Sequence, residues 1–185
     1  MSMGSSIIVH GEPVHCGSRV RILIGTAGEF VARPKRTETR AVVWHWTGGL
    51  GDADRVLETL RRRRLSINFV IDRDGTIHQC CDANRSTSHA FDELRKISAN
   101  PWSVGVEVCG RGGPGVWWTP EQETAGKALA ASLSVAFGLP LECPDEYREL
   151  TRDELRGVRG HIGHHHVERV KSDPGAGWLK AVVTT

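Results

Sequence analysis

Thirteen residues near the end of the chain, Gly163-His164-His165-His166-Val167-Glu168-Arg169-Val170-Lys171-Ser172-Asp173-Pro174-Gly175, hold three histidines, a lysine and an aspartate. Imidazole and carboxylate suit a borderline divalent ion such as zinc. A catalytic zinc site takes three protein ligands and keeps a fourth position for water. This stretch offers two. It ends in Asp-Pro-Gly, where regular structure stops, because proline bars its predecessor from helix and glycine admits a tight turn. The third ligand must come from far away in the chain, and His45 is the candidate, the only polar side chain able to bind a metal in Ala41-Val42-Val43-Trp44-His45-Trp46. A lone histidine in an apolar strand is more often a hydrogen-bonded core residue. Its combination with the C-terminal cluster is what favours a ligand.

Other elements must bring these residues together. Residues 41–46 are nearly continuous in apolar character, as in a central strand covered on both faces. Asp52 or Asp54 then caps a helix to about Arg64, with Val56, Leu57 and Leu60 at helical spacing; its Arg61–Arg64 end reads as a solvated, dipole-favoured terminus. Ile67–Ile71 and Thr76–Cys80 form a hairpin around Asp72-Arg73-Asp74-Gly75. Residues 82–101 read as a polar loop carrying Ser88-His89-Ala90. Val104–Val108 is a strand with Glu107 inside its apolar run. Thr119-Pro120-Glu121-Gln122 has the cap, first-turn proline and capping-box glutamine of a helix start. That helix should run to about Phe137 with Leu129, Leu133, Val135 and Ala136 mostly inward, closed by Gly138-Leu139-Pro140. A short capped turn at Thr151–Glu154, a last strand entered around Val158–His161 and a helix over Trp178–Val183 complete the pattern. If that strand continues into the cluster, His164 and His166 share one face and His165 takes the other. The order predicts an α/β fold: a single domain with a central mixed β-sheet flanked by helices. Residues 1–35 add short strands at Ser6–His10, Val20–Ile24 and Glu29–Ala32, with turns at Gly11-Glu12-Pro13 and residues 25–28.

The 185 residues suit one domain whose core needs no disulfide. A net charge of +2 is too small to imply nucleic acid as partner. The five cysteines, odd in number and without a CxxC pair, read as reduced thiols of a chain made in the cytosol. The first residues lack a signal peptide, and Ile7-Ile8-Val9 is far too short for membrane insertion.

Five motifs in one order carry a resemblance: Val43-Trp44-His45-Trp46-Thr47, Asn68–Thr76, Ser88-His89-Ala90, Ser103-Val104-Gly105-Val106-Glu107, and Gly163-His164 with Lys171-Ser172-Asp173-Pro174-Gly175. Together they resemble the zinc-dependent N-acetylmuramoyl-L-alanine amidases, a family that includes phage endolysins, bacterial anhydromuropeptide amidases and animal peptidoglycan recognition proteins. The resemblance spans roughly residues 40–180. It divides the chain into an N-terminal extension of unassigned role, residues 1–35, and an amidase domain, residues 36–185.

The resemblance implies one zinc per chain, with His45, His164 and Asp173 as metal ligands. His164 follows a glycine and stands nine positions before Asp173, within the family's spacing; His165 lacks the preceding glycine, and His161 stands twelve positions before. His161 would also lie about 10 Å back along a strand at roughly 3.3 Å per residue. Lys171 matches the cation that stabilises the oxyanion, Glu107 the carboxylate that shuttles the proton, and His89 a histidine of the substrate groove. Some phage members carry a tyrosine where this chain has Ile67, which puts more weight on Glu107. The implied substrate is peptidoglycan or a muropeptide, cleaved between N-acetylmuramic acid and L-alanine. Without a signal peptide, the implied setting is an endolysin acting on the wall after release, ahead of a cytosolic recycling amidase, an exported effector or a non-catalytic binding module. Stem-peptide specificity and oligomeric state have no signature in the sequence.

Overall fold

The computed structural model describes residues 3–26, 29–30, 34–112, 117–145 and 147–183. The chain opens with a hairpin of β1 (Met3–Val9) and β2 (Glu12–Ile22). It continues through β3 (Ala41–Trp46), α1 (Ala53–Arg62), β4 (Phe69–Ile71), β5 (Ile77–Gln79), the short pair β6 (Phe91–Asp92) and β7 (Ile97–Ser98), and β8 (Ser103–Val108). Then come α2 (Pro120–Phe137), α3 (Arg152–Gly157), β9 (Gly160–Gly163), a single turn α4 (His164–Val167) and α5 (Ala176–Val183). Seven strands form one mixed sheet in the order β1-β2-β5-β4-β8-β3-β9. This is the α/β architecture that the hydrophobic pattern implies.

β3 lies between β8 and β9, parallel to both. A strand in that position is buried on both faces, hence its unbroken apolar run. Val42 and Trp44 join the core under α2 and α5, with Leu129, Leu133 and Trp178. Ala41 and Val43 face the other way, with Ile162, Leu155 and Val167. On that second face another cluster, Leu57 with Ile67 and Val70, sits under α1. The second face is therefore covered by two separate clusters, and the site lies between them.

Local signals account for the helix ends. Asp52 accepts the Arg55 amide at the start of α1. Thr119 and Gln122 form the reciprocal capping box of α2, and Gly138 closes it in the left-handed conformation; a cap of this kind contributes about 1 kcal/mol. Val135, expected inward, is 83% exposed. It stands two residues past the buried Leu133, about 200° around the helix.

The N-terminal strands are longer than their pattern suggests. The turn is at His10-Gly11, both at positive φ, and Pro13 lies inside β2 opposite Ile8. The missing proline N–H costs nothing there, because Ile8 gives its own N–H to the Gln79 side chain and takes a bond from the Gln79 amide, both at 2.7 Å. Val20–Ile22 of β2 pairs parallel with β5, so the hairpin extends the central sheet. Glu29 and Phe30 are irregular, and residues 31–32 of the strand expected there lie outside the described residues. The polar loop 82–101 contains the β6–β7 pair, held by Arg95 through Asp92, Glu149 and the carbonyl of Leu150. All five cysteines are free thiols. Among the described residues no helix is long and apolar enough to cross a membrane.

Candidate active site

Three neighbouring parallel strands deliver the central residues. His45 and Glu107 are register partners across β3 and β8, so their side chains leave the sheet on one face. On the other side Trp44 pairs with Gly163, and one step further His164 arrives beside His45. All three stand at C-terminal strand ends, where α/β sheets place their ligand clefts.

The last strand does not continue into the histidine cluster, as the alternation argument supposed. It stops at Gly163, and His164–Val167 form a helical turn. A Cβ on Gly163 would stand 2.4 Å from His165 Cε1 and 2.8 Å from Pro174 Cδ. Glycine is thus required by close approach. The three histidines diverge on the turn. His164 faces His45. The His165 ring and backbone N–H groups both donate to the Asp173 carbonyl, at 3.0 and 3.1 Å. His166 Nδ1 accepts the Gly163 amide at 2.9 Å, so His166 turns back into the fold. Tyr147 packs on the His165 ring at 4.4 Å and donates its hydroxyl to the Ser172 carbonyl at 2.7 Å. These bonds fold residues 171–173 back over the site.

The result is a triangle of donor atoms. His45 Nδ1 lies 3.0 Å from His164 Nδ1 and 3.3 Å from Asp173 Oδ2, and His164 Nδ1 lies 3.1 Å from the same oxygen. A tetrahedral ion with bonds of about 2.0–2.1 Å separates its ligand atoms by roughly 3.3 Å. The three residues are nearly enclosed, at 2%, 7% and 8% exposure. Burial and the neighbouring His164 push His45 down to about 4, favouring the neutral imidazole that a metal needs. Burial alone would raise the Asp173 carboxyl, but the adjacent His164 and His45 rings reverse this and hold it well below the usual range. Two imidazole nitrogens and a carboxylate oxygen converging on one point form a donor set that fits zinc.

The remaining candidates surround this triangle. Glu107 lines the cleft, with Oε2 buried and without a hydrogen-bond partner. Burial first and the Asp173 charge second push its carboxyl well above the ordinary value. Lys171 is exposed, lines the same cleft, and is near enough to act electrostatically on Glu107 and His45. His89 lines the cleft too, with its Nδ1 3.1 Å from His45 Nε2. His161 is elsewhere. It pairs with Val42 on the opposite face, where Trp44 Nε1 donates to its Nδ1 at 3.1 Å and Ser134 Oγ lies 2.9 Å from its Nε2.

Sequence reasoning passed over several residues that hold this arrangement. Asn68 is fully buried; its Oδ1 accepts from the Gly105 amide and the Thr87 hydroxyl, and its Nδ2 donates to the Arg85 carbonyl, tying the His89 loop to β8. Asn100 accepts both the His89 and Ala90 amides. Glu168 Oε2 stands 3.3 Å from His164 Nε2, one helical turn along. The one local signal was polarity at Asn68, just ahead of a buried strand.

The cleft encloses about 900 Å³ between α1 and the 168–173 segment. The family model for N-acetylmuramoyl-L-alanine amidase matches residues 35–176. Among solved structures, the fold is similar to the endolysin LysCS from Clostridium intestinale URNW, at 19% identity over 88% of this chain and 93% of that one, TM-score 0.60. It is also similar to the Ph2119 endolysin from a Thermus scotoductus MAT2119 bacteriophage (15%, 90% and 100%, 0.56). A third is AmpDh3 from Pseudomonas aeruginosa, in complex with anhydromuramic pentapeptide (18%, 85% and 65%, 0.56). No curated protein sequence matches.

Proposed function

Because the chain belongs to the N-acetylmuramoyl-L-alanine amidase family, we propose that it hydrolyses the amide between the lactyl group of N-acetylmuramic acid and L-alanine in peptidoglycan, using one zinc ion held by His45, His164 and Asp173. The observation that carries this reading is the triangle of donor atoms, with edges of 3.0–3.3 Å, at the floor of the cleft. Zinc in such a site acidifies water and polarises a carbonyl.

The chain's own residues do the rest. Glu107 takes the proton of the attacking water and passes it to the departing amine of L-alanine. Its raised proton affinity suits both steps, since a carboxyl poised nearer neutrality can accept and return a proton at working pH. Its unpartnered Oε2 leaves an acceptor available for that water. The Lys171 ammonium faces the oxyanion that develops on the lactyl carbonyl, where a preplaced cation counts more than it does in bulk water. The volume of about 900 Å³ accommodates a sugar with several residues of stem peptide; AmpDh3 of the same fold was solved with an anhydromuramic pentapeptide. His89 lines the same cleft.

The biological setting we propose is a phage-type endolysin acting on polymeric wall. Mass spectrometry of products from purified peptidoglycan and from soluble anhydromuropeptides, with and without zinc, tests both parts. Free stem peptides with an N-terminal L-alanine, released from polymer faster than from soluble fragments, are expected. Cleavage at another bond refutes the amidase reading, and no cleavage by a zinc-loaded protein leaves a wall-binding module. Preference for soluble fragments moves the setting to muropeptide recycling.

A further inference from the structure

Behind His45 runs a chain of hydrogen bonds whose direction is determined by its far end. The Ser103 hydroxyl donates to the Ala99 carbonyl at 2.7 Å. A hydroxyl has one proton, so Ser103 Oγ can only accept from its other neighbour, His89 Nε2 at 3.3 Å. His89 Nε2 therefore carries the ring proton, and His89 Nδ1 is a lone pair. That lone pair faces His45 Nε2 at 3.1 Å. His45 Nε2 must then be the donor, which leaves His45 Nδ1 unprotonated, and Nδ1 is the atom in the donor triangle with His164 and Asp173.

We propose that His89 is a positioning residue: with Ser103 and the Ala99 carbonyl, it holds His45 in the tautomer that presents a free Nδ1 to zinc. The inference rests on the metal reading of His45. The opposite tautomer is available in principle, since a proton on His45 Nδ1 would find Asp173 Oδ2 at 3.3 Å. It would set the Nε2 lone pair against the His89 Nδ1 lone pair. Turning His89 to its other tautomer would relieve that clash, but would then aim a bare Nε2 at the Ser103 hydroxyl, whose one proton goes to the Ala99 carbonyl. The His89 ring is well held for this task. Asn100 Oδ1 accepts its backbone amide at 2.9 Å. A Cβ on Gly105 would lie 2.7 Å from the ring's Cγ, so only glycine in β8 leaves the ring its place. With both nitrogens engaged, His89 meets substrate only through ring carbons. Histidine ligands commonly give their second ring N–H to such a partner, and its loss weakens metal binding by roughly 10–100-fold.

Two-bond ¹⁵N–¹H spectra of the full-length, histidine-labelled protein stripped of zinc test this without any substitution, at a pH where histidines are neutral. Both His45 and His89 are expected as the Nε2–H tautomer; His45 predominantly as Nδ1–H overturns the proposal. Zinc affinity by chelator competition supplies the second readout. His89→Leu should weaken it by roughly 10–100-fold, and His89→Asn, whose side-chain oxygen can accept from His45, should recover most of that. Unchanged zinc affinity in His89→Leu, with only KM raised, would make His89 a substrate contact and refute the positioning role. A native chain that takes up no zinc defeats the metal reading itself, while the tautomers still decide the hydrogen-bond chain.

Discussion

Replacing His161 by asparagine separates the histidine that belongs to the core from those that belong to the site. His161 is completely buried, and Trp44 Nε1 donates to its Nδ1. That ring nitrogen must stay unprotonated, because a second N–H there would point at the indole N–H. Burial pushes His161 from 6.5 down to about 4. A histidine with a depressed folded-state pKa makes its full contribution above the unfolded value and loses it as pH falls, because the unfolded chain binds the proton first. The loss begins near 6.5 and is complete below about 4. From those two values, acidification from about pH 7.5 to about pH 5 costs about 2 kcal/mol through this one residue. Asparagine retains an acceptor for Trp44 but cannot titrate. The variant should be less stable at neutral pH, by about 1–3 kcal/mol for the lost packing and the weakened bond to Ser134. Its stability should then fall by about 2 kcal/mol less than that of the native chain over the same pH interval. Urea unfolding of both proteins at the two pH values, under the same zinc condition, reads the difference, since every other titration is common to both. Zinc content should stay at one per chain in His161→Asn and disappear in His164→Ala. Identical pH dependence in the two proteins refutes the electrostatic argument. Zinc lost from His161→Asn but kept by His164→Ala refutes the ligand assignment.

Other outcomes follow from the same geometry. Glu107→Gln and Lys171→Ala should each keep zinc and lower turnover by roughly two or more orders of magnitude; a near-normal rate in either removes that residue from its assigned role. Chelation should abolish hydrolysis yet leave the circular dichroism spectrum largely intact, because the cores on both faces of the sheet are built from apolar side chains that do not include His45, His164 or Asp173; global unfolding on chelation contradicts this. Gly163→Ala places a methyl carbon within 2.4 Å of the His165 ring. It should cost about 1–3 kcal/mol of stability by overpacking, and weaken zinc binding as α4 shifts. Unchanged melting temperature and zinc affinity would show that the turn yields more easily than the contact implies.

Much of this molecule was legible in its residues because the signals were local. The α2 capping box, the β4–β5 hairpin around Gly75 and the doubly apolar β3 each follow from backbone chemistry or from period, and each is found where the pattern places it. The association of His45 with a C-terminal histidine and aspartate came from donor chemistry together with the order of motifs. What local signals could not supply was direction in space. Nothing in Gly160–Val167 announces that a strand gives way to a helical turn at Gly163, since the His165 ring that crowds Gly163 is held by the Asp173 carbonyl, and Pro174 presses on the same glycine, both from a later segment. The opposite faces of His161 and His164 follow from the pairing of β9 with β3, a contact across more than a hundred residues. Val135 was placed inward by hydrophobicity, but only the packing of α2 on the sheet decides which stripe of that helix is buried. The hydrogen bonds from Ala99 through Ser103 and His89 to His45 join residues from two loops and two strands. Residue types name the ligands a metal can use; the protonation of each ring nitrogen is decided by the neighbour that the fold sets against it.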